Sequence, residues 1–252
     1  MTTHHPPDGY VRARVGRTEL VARREVAEAL GAIVARGTLY DFARAQPDRR
    51  EYRGRAAAFA VEIPGTGERA VVRHSRHGGL LASLTRDLFL APTRAPHELA
   101  ISTRLLDARV PTPLVLGYAV YRTGAGLARS DVLTREVPAS RDLAAALAPS
   151  EPEANRRAAW TATASLVGAL SELGARHHDL NLKNVLLAGA PDGPQAWVLD
   201  VDRITFHADV RYALRHNLAR LERSARKWRD RWGAAIGDAD LAAVREALSA
   251  LA

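Results

Sequence analysis

One polar loop constrains the fold of this chain more than any other stretch. It reads His177-His178-Asp179-Leu180-Asn181-Leu182-Lys183-Asn184. A short apolar run follows, and then, after a turn, the strand-like segment Ala196-Trp197-Val198-Leu199-Asp200. The spacing predicts that one tight loop presents Asp179 and Asn184 to a single cavity. Asp200 then reaches the same cavity from the end of the next strand.

These three residue types are the ones that phosphoryl transfer requires. A carboxylate is needed near the acceptor hydroxyl, and an amide oxygen and a second carboxylate are needed to hold magnesium against the phosphates. The order H-x-D-x-x-x-x-N, then two hydrophobic residues and Asp, matches the kinase pattern. We predict Asp179 as the catalytic base, Asn184 and Asp200 as Mg²⁺ ligands, and ATP as the donor. The alternative is that all three are ordinary turn residues.

The flanking segments follow the order of a kinase fold. Before the loop, the pattern predicts a β-hairpin over residues 55–74, a helix over 95–108 and two strands over 114–137. After residue 140, Ser150 with Glu153 forms a capping-box signature for a long helix that Gly174 ends, and further helices close the chain.

This order predicts an α+β, protein-kinase-like two-lobed fold, with a small, mainly β N-lobe and a helical C-lobe. We place a partly helical N-terminal extension at residues 1–50, the N-lobe at 51–138 and the C-lobe at 139–252.

Candidate nucleotide-binding residues in the N-lobe fit the kinase pattern less closely. A kinase usually pairs a strand lysine with a helix glutamate, whereas this chain offers Arg73 on a strand and Glu98 in the predicted helix. Arginine has the same positive charge as lysine, but its planar guanidinium binds phosphates with a different geometry. Gly54 is the candidate for a phosphate-covering loop, and Lys183 is also assigned to the nucleotide. Arg73 as a plain exposed strand residue is the alternative.

Composition narrows the partners and the compartment. The chain of 252 residues contains no cysteine, which excludes disulfides, thiolate nucleophiles and cysteine-bound metal clusters. A net charge of +8 favours anionic partners, although arginine-rich coding bias explains it equally well. The first ten residues contain no apolar stretch, and no apolar run is long enough to span a bilayer, so we expect a cytoplasmic protein.

Several separate stretches resemble the bacterial lipopolysaccharide core kinases, and especially the 3-deoxy-D-manno-octulosonic acid (Kdo) kinases. They are Val72 to Leu80, Arg86 to Leu90 with Thr93-Arg94 and Glu98, Val110 to Pro113, Asp131 to Arg135, Asp179 to Asn184, Leu199 to Arg203, and Asn217 to Leu221 with Arg223-Ser224 and Lys227. The basic Gly-Gly segment and the Asn-Leu-Ala-Arg-Leu helix are not general kinase features. The resemblance covers roughly residues 50 to 230.

The resemblance implies ATP-dependent phosphorylation of a Kdo hydroxyl in the lipopolysaccharide inner core, on a lipid A-linked acceptor at the cytoplasmic face of the inner membrane. Arg73 is similar to the family's own replacement for lysine. The family usually has a second arginine before Gly78, where this chain has His77. We expect Arg76, with Gly78 and Gly79, to contact an anionic group of the acceptor or the nucleotide. A solvated turn is the alternative.

Three other functions remain open at this point. An aminoglycoside-type phosphotransferase has the same loop, but its cationic acceptors favour an acidic pocket. A pseudokinase or binding module would not need the complete set of Asp179, Asn184 and Asp200. Nucleic-acid binding lacks a recognised motif, and we expect none.

The segment 211–232 predicts a basic amphipathic helix. Apolar side chains recur at steps of three and four from Leu214 to Trp232, and the remaining circumference is largely basic, including Arg220. Such a helix with tryptophans is typical of an anionic membrane surface. Packing of the apolar face on the C-lobe core is the alternative.

Overall fold

The computed structural model describes residues 5–52, 57–74, 89–90, 93–124, 127–190 and 193–251. The chain divides into two units. Unit 1 comprises residues 1–103 and 114–136, and unit 2 comprises residues 104–113 and 137–252.

Unit 1 is built on an antiparallel sheet. The described strands are β1 Tyr10–Val15, β2 Thr18–Arg23, β3 Arg50–Tyr52, β4 Ala58–Glu62, β5 Arg69–His74, β6 Phe89–Leu90, β7 Val115–Gly124 and β8 Leu127–Arg135. Their order across the sheet is β1-β2-β7-β8-β5-β4-β3, and β6 pairs with β8. The hairpin predicted within residues 55–74 forms as β4 and β5.

The N-terminal segment is part of this sheet, which corrects its interpretation as an extension over residues 1–50. Strand β2 pairs along β7, with Leu20 opposite Ala119, and β1 pairs with β2 at the sheet edge. Half of the side chains of β1 are exposed, as is common in an edge strand. Its alternating pattern Val-Arg-Ala-Arg-Val is a strand signal that the interpretation as an extension does not use.

Unit 2 is mainly helical. Its described elements are β9 Arg141–Asp142, α4 Leu143–Ala146, α5 Glu153–Glu172, β10 Ala175–His177, β11 Val185–Ala190, β12 Gly193–Val198, β13 Ile204–Phe206, α6 Val210–Trp232 and α7 Asp238–Ala247. The strands form two small antiparallel sheets, β12-β11-β9 and β10-β13. Helix α5 packs against β12, α6 and α7. A mainly β unit and a mainly helical unit confirm the predicted fold class.

The predicted end of α5 is confirmed, but its predicted start is wrong. The helix begins at Glu153 after Pro152, with no side-chain hydrogen bond at its cap, so the predicted Ser150 capping box is wrong. The predicted end at Gly174 is confirmed, because this residue has a φ of +67° directly after the helix. A Cβ there would lie 2.0 Å from the carbonyl oxygen of His207, so the position requires glycine.

Helices cover both faces of the unit 1 sheet. Helices α1 (Ala27–Val34) and α2 (Leu39–Ala45) share one buried apolar cluster with Leu20 and Ala22 of β2. Val21, on the opposite face of the same strand, belongs to a second cluster with α3 (Ala95–Asp107). Residues 27–45 therefore bury a face of the sheet that α3 does not reach.

A buried carboxylate on β8 holds α2 to the sheet. Asp131 is fully buried, and its Oδ2 accepts hydrogen bonds from the backbone N–H of Tyr40 and the hydroxyl of Tyr121, each at 3.0 Å. Its Oδ1 lies 2.6 Å from Nδ1 of His74, the last residue of β5. The Tyr121 hydroxyl in turn accepts from the backbone N–H of Leu39 at 2.8 Å. The first turn of α2 is therefore anchored by side chains of β7 and β8.

We predict that Asp131→Ala lowers the free energy of unfolding by about 3 kcal/mol, because it leaves buried donors on Tyr40 and Tyr121 without their acceptor. Urea unfolding of the full chain measures this. Asp48→Ala is the matched control, since Asp48 is exposed, and it should change stability by less than about 0.5 kcal/mol. Equal stabilities of the two variants would contradict the anchoring role of Asp131.

Candidate active site

A buried histidine positions the polar loop of unit 2. The side chain of His177 donates from Nε2 to the carbonyl of Leu199 at 2.8 Å and accepts at Nδ1 from the backbone N–H of Asp179 at 3.0 Å. Burial lowers the pKa of His177, although contacts with the Leu199 carbonyl and nearby carboxylates oppose this shift. The ring is therefore neutral, with its proton on Nε2. It connects the loop to the segment that follows β12.

The β11–β12 hairpin brings the two predicted metal ligands to the same end. Val185 is paired with Val198, so Asn184 precedes one strand where the segment Leu199–Asp200 leaves the other. The N–H of Leu199 donates to the carbonyl of Asn184 at 2.9 Å, which continues the pairing by one step. Asp200 itself has a φ of +59°, in the left-handed region, which is uncommon for a residue other than glycine and frequent at functional sites.

Asp179 is held beside Asn184 through the backbone. The Nδ2 group of Asn184 donates to the Asp179 carbonyl at 2.8 Å, and the Nδ2 group of Asn181 donates to the same oxygen at 3.1 Å. Asn184 uses its amide nitrogen in this way, and its Oδ1 is a hydrogen-bond acceptor. The structure thus brings Asp179, Asn184 and Asp200 together.

The Asp179 carboxylate forms an ion pair with Arg220 of α6. Nη2 of Arg220 donates to Oδ1 of Asp179, and the aspartate side chain is 30% exposed. Burial raises the pKa of Asp179, but hydrogen bonds from Arg220 and Asn181 and the charge of Arg220 lower it, and the net shift is downward. Asp179 is therefore ionised at neutral pH.

One face of α6 binds the loop through three polar side chains. Asn217 is fully buried; its Oδ1 accepts from the N–H of His177 and its Nδ2 donates to the carbonyl of Ala175, both at 2.9 Å. Arg220 binds Asp179, and the Ser224 hydroxyl accepts from the N–H of Leu182 at 3.2 Å. The steps of three and four residues place these three side chains on the same face of the helix.

Sequence reasoning did not assign these α6 residues to the site. It placed Arg220 among the cations of an outward-facing basic surface, and the structure corrects this, because Arg220 contacts Asp179. The available signal was the spacing of Asn217, Arg220 and Ser224. Apolar periodicity alone does not reveal this spacing.

Lys183 lies on the same loop but contacts other groups. Its Nζ is 2.8 Å from Oδ2 of Asp142 and 5.5 Å from the ring centre of Trp228. Its assignment to the nucleotide stays a prediction.

Unit 1 contains the other expected pair. Arg73 of β5 donates from Nη2 to Oε1 of Glu98 on α3, and Glu98 is buried. This is the arrangement expected of a strand cation and a helix carboxylate, and its role with a nucleotide stays a prediction. Gly54, Arg76, Gly78 and Gly79 lie outside the described residues.

The donor set of the loop fits magnesium. Mg²⁺ prefers carboxylate and amide oxygens and usually binds one or two protein carboxylates together with nucleotide phosphates. Asn184 and Asp200, at one end of the hairpin, have an amide oxygen and a carboxylate of this kind, and their assignment to Mg²⁺ stays a prediction.

Comparison with protein families identifies the family of this chain. The model of the lipopolysaccharide kinase (Kdo/WaaP) family matches residues 39–247. The chain belongs to this family. It is therefore a phosphotransferase, a kinase of lipopolysaccharide core biosynthesis.

Curated relatives extend the match over most of the chain. The 3-deoxy-D-manno-octulosonic acid kinase of Actinobacillus succinogenes is 33% identical over 186 residues, which is 72% of this chain and 76% of the relative. The enzymes of the same name from Haemophilus influenzae and Xanthomonas campestris are 30% and 32% identical, and cover 69% and 70% of this chain. The alignments cover 73% and 68% of those two relatives.

A solved structure supports the kinase-like fold. The structure described as WaaP in complex with acyl carrier protein aligns with a TM-score of 0.52 at 18% identity, over 92% of this chain and 98% of that chain. At this identity the likeness concerns the fold alone. Together with the family match, it confirms the predicted protein-kinase-like fold.

We predict that this kinase loses stability as the pH falls below about 6.5, the ordinary pKa of histidine, partly because of His177. Its folded-state pKa is lowered, so the unfolded chain binds more protons below that pH and stability rises with pH. The contribution is at most about 1.4 kcal/mol per pH unit. Urea unfolding at pH 5.5 and 7.5 should therefore show a smaller pH difference for His177→Gln than for the wild type.

His5→Gln is the matched control, because His5 is exposed and lies far from the loop in sequence. This variant should keep the wild-type pH dependence. An unchanged pH dependence in His177→Gln would contradict the buried, neutral state of His177.

Proposed function

We propose that this kinase transfers the terminal phosphate of ATP to a hydroxyl of Kdo in the lipopolysaccharide inner core, on a lipid A-linked acceptor. The observation that supports the chemistry most directly is the convergence of Asp179, Asn184 and Asp200 around one end of the β11–β12 hairpin. The names of the curated relatives support Kdo as the acceptor.

Asp179 has the properties of the group that receives the acceptor proton. Its carboxylate is partly exposed and ionised. Its position is fixed because its backbone N–H donates to His177 and its backbone carbonyl accepts from Asn184. In the proposal, the carboxylate accepts the proton of the attacking hydroxyl as the bond to phosphorus forms.

Asn184 and Asp200 are proposed to hold Mg²⁺. When bound, the ion neutralises charge on the nucleotide phosphates. The backbone hydrogen bond between Leu199 and Asn184 keeps these two residues at the same end of the hairpin.

In unit 1, Arg73 is proposed to bind the phosphates of the nucleotide. The buried carboxylate of Glu98 binds the Arg73 guanidinium and orients it. Lys183 and Gly54 are proposed to assist nucleotide binding. Arg76, Gly78 and Gly79 are proposed to contact an anionic group of the acceptor or the nucleotide.

The exposed end of α6 is proposed to bind an anionic membrane surface, at the cytoplasmic face of the inner membrane. Leu214, Leu221 and Ala225 are buried, so most of the apolar face packs within unit 2. Trp232 is 53% exposed, and its ring centre lies 4.5 Å from that of Trp228, with the two rings tilted by 39°. Exposed cations near this end include Arg223, Arg226, Lys227 and Arg231. Among the described residues, no helix is both long and apolar enough to cross a bilayer.

We predict that Asp179→Asn and Asp200→Asn both abolish transfer of labelled phosphate from ATP to a Kdo-bearing lipid A precursor, with losses of at least about 100-fold. Only Asp200→Asn should strongly weaken magnesium-dependent nucleotide binding, because only Asp200 is a proposed metal ligand. Transfer assays and calorimetric titration with MgATP measure the two effects.

Asp202→Asn is the matched control, two positions beyond Asp200, and it should retain magnesium-dependent nucleotide binding. A wild-type protein that labels a cationic aminoglycoside but not the Kdo lipid would contradict the proposed acceptor. No transfer to either acceptor despite normal MgATP binding would favour a binding module. Equal loss of nucleotide binding in Asp179→Asn and Asp200→Asn would contradict the assigned roles.

We predict that the protein binds vesicles containing anionic lipid and that salt weakens this binding. Replacing Arg226, Lys227 and Arg231 by Ala should reduce the affinity by about two orders of magnitude, since each cation contributes about 1 kcal/mol. Vesicle sedimentation at low salt measures this.

A unit 1 variant with Arg17, Arg24 and Arg36 replaced by Ala loses the same charge and should bind normally. Absence of binding at low salt would contradict membrane recruitment.

A further inference from the structure

Arg220 lies where an acceptor must approach the proposed base. Its Nη2 donates to Oδ1 of Asp179, and the two side chains are 39% and 30% exposed. Both members of the pair therefore reach solvent. A hydroxyl that approaches Asp179 comes close to a guanidinium with several N–H groups directed away from the aspartate.

The hydrogen-bonding capacity of this guanidinium is only partly used. Its Nε is buried and has no hydrogen-bond partner among the described residues. Nε and Nη2 together form one edge of the planar fork that binds a carboxylate through two parallel hydrogen bonds. Asp179 uses Nη2 alone. A rotation that exposes Nε breaks no hydrogen bond of that group, and an incoming anion would satisfy it.

The backbone beneath Arg220 is fixed relative to the loop. Asn217, one turn before it, binds the backbone of Ala175 and His177, and Ser224, one turn after it, binds the backbone of Leu182. An anion bound by Arg220 therefore lies at a defined distance from Asp179. Lys183, on the loop itself, is already paired with Asp142, with its Nζ 2.8 Å from Oδ2.

We propose that Arg220 binds the carboxylate of the acceptor sugar and so selects an acidic sugar as the acceptor. This inference rests on the proposed function, in which the acceptor has a carboxylate on the same sugar as the reacting hydroxyl. One guanidinium then contacts both the base and the acceptor acid group. The hydroxyl that faces Asp179 is chosen by its position relative to that acid group.

A comparison of two proteins and two acceptors tests this inference. Wild type and Arg220→Gln are each assayed with the Kdo-bearing lipid acceptor and with its carboxyl methyl ester. Esterification should lower kcat/KM of the wild type by about 10- to 100-fold, the range of a charge-assisted hydrogen-bonded pair. In Arg220→Gln, esterification should change kcat/KM by less than about 3-fold. The variant should show a raised KM for the acid acceptor and an unchanged KM for ATP.

Arg215→Ala, five residues earlier on α6 and exposed, should keep the full wild-type response to esterification. If Arg220→Gln is too slow to assay, equilibrium binding of the acid and ester acceptors in the presence of MgATP gives the same comparison, and normal MgATP affinity shows that the variant is folded.

The outcomes separate this inference from the proposed function. Equal sensitivity to esterification in wild type and Arg220→Gln overturns the inference and makes Arg220 a positioning residue for Asp179, while phosphorylation of Kdo by the wild type still supports the proposed function. Wild-type turnover that is indifferent to esterification also overturns the inference alone. Absence of transfer from ATP to the Kdo lipid overturns both.

Discussion

The buried amide of Asn217 is the contact on which the geometry of the active loop depends. It satisfies a backbone donor of His177 and a backbone acceptor of Ala175, in an interior where an unpaired polar group is costly. His177 in turn fixes Asp179 and the segment after β12. The loop is therefore held by a fully buried polar side chain of α6, and Arg220 of the same helix face reaches the aspartate.

Unit 1 uses a buried carboxylate in a similar way. Asp131 joins the start of α2 and the end of β5 to β8. Residues 27–45 cover an apolar face of the sheet that would otherwise be exposed to water. The described part of the segment before residue 50 is therefore part of the fold of unit 1. The Arg73–Glu98 pair of this unit is likewise held at the end of β5, one residue before His74.

Local patterns made part of this architecture predictable. The loop spacing, the β11–β12 hairpin and the glycine that follows α5 depend on neighbours close in sequence, and the structure has each of them where the pattern indicates. The pairs of Asn217 with His177 and of Arg220 with Asp179 span 40 and 41 residues, and no periodicity records such contacts. The absent Ser150 cap shows a second limit, because a capping pattern does not fix the residue at which a helix begins, and α5 begins after Pro152.

Asn184 and Asp200 are proposed to hold the catalytic metal beside Asp179. Anomalous diffraction from crystals grown with a non-hydrolysable ATP analogue and Mn²⁺ tests it most directly, since Mn²⁺ and Mg²⁺ share a preference for octahedral oxygen ligands. We expect an anomalous peak about 2.1 Å from Oδ1 of Asn184 and from the Asp200 carboxylate. A bound nucleotide whose metal contacts neither residue would contradict the account.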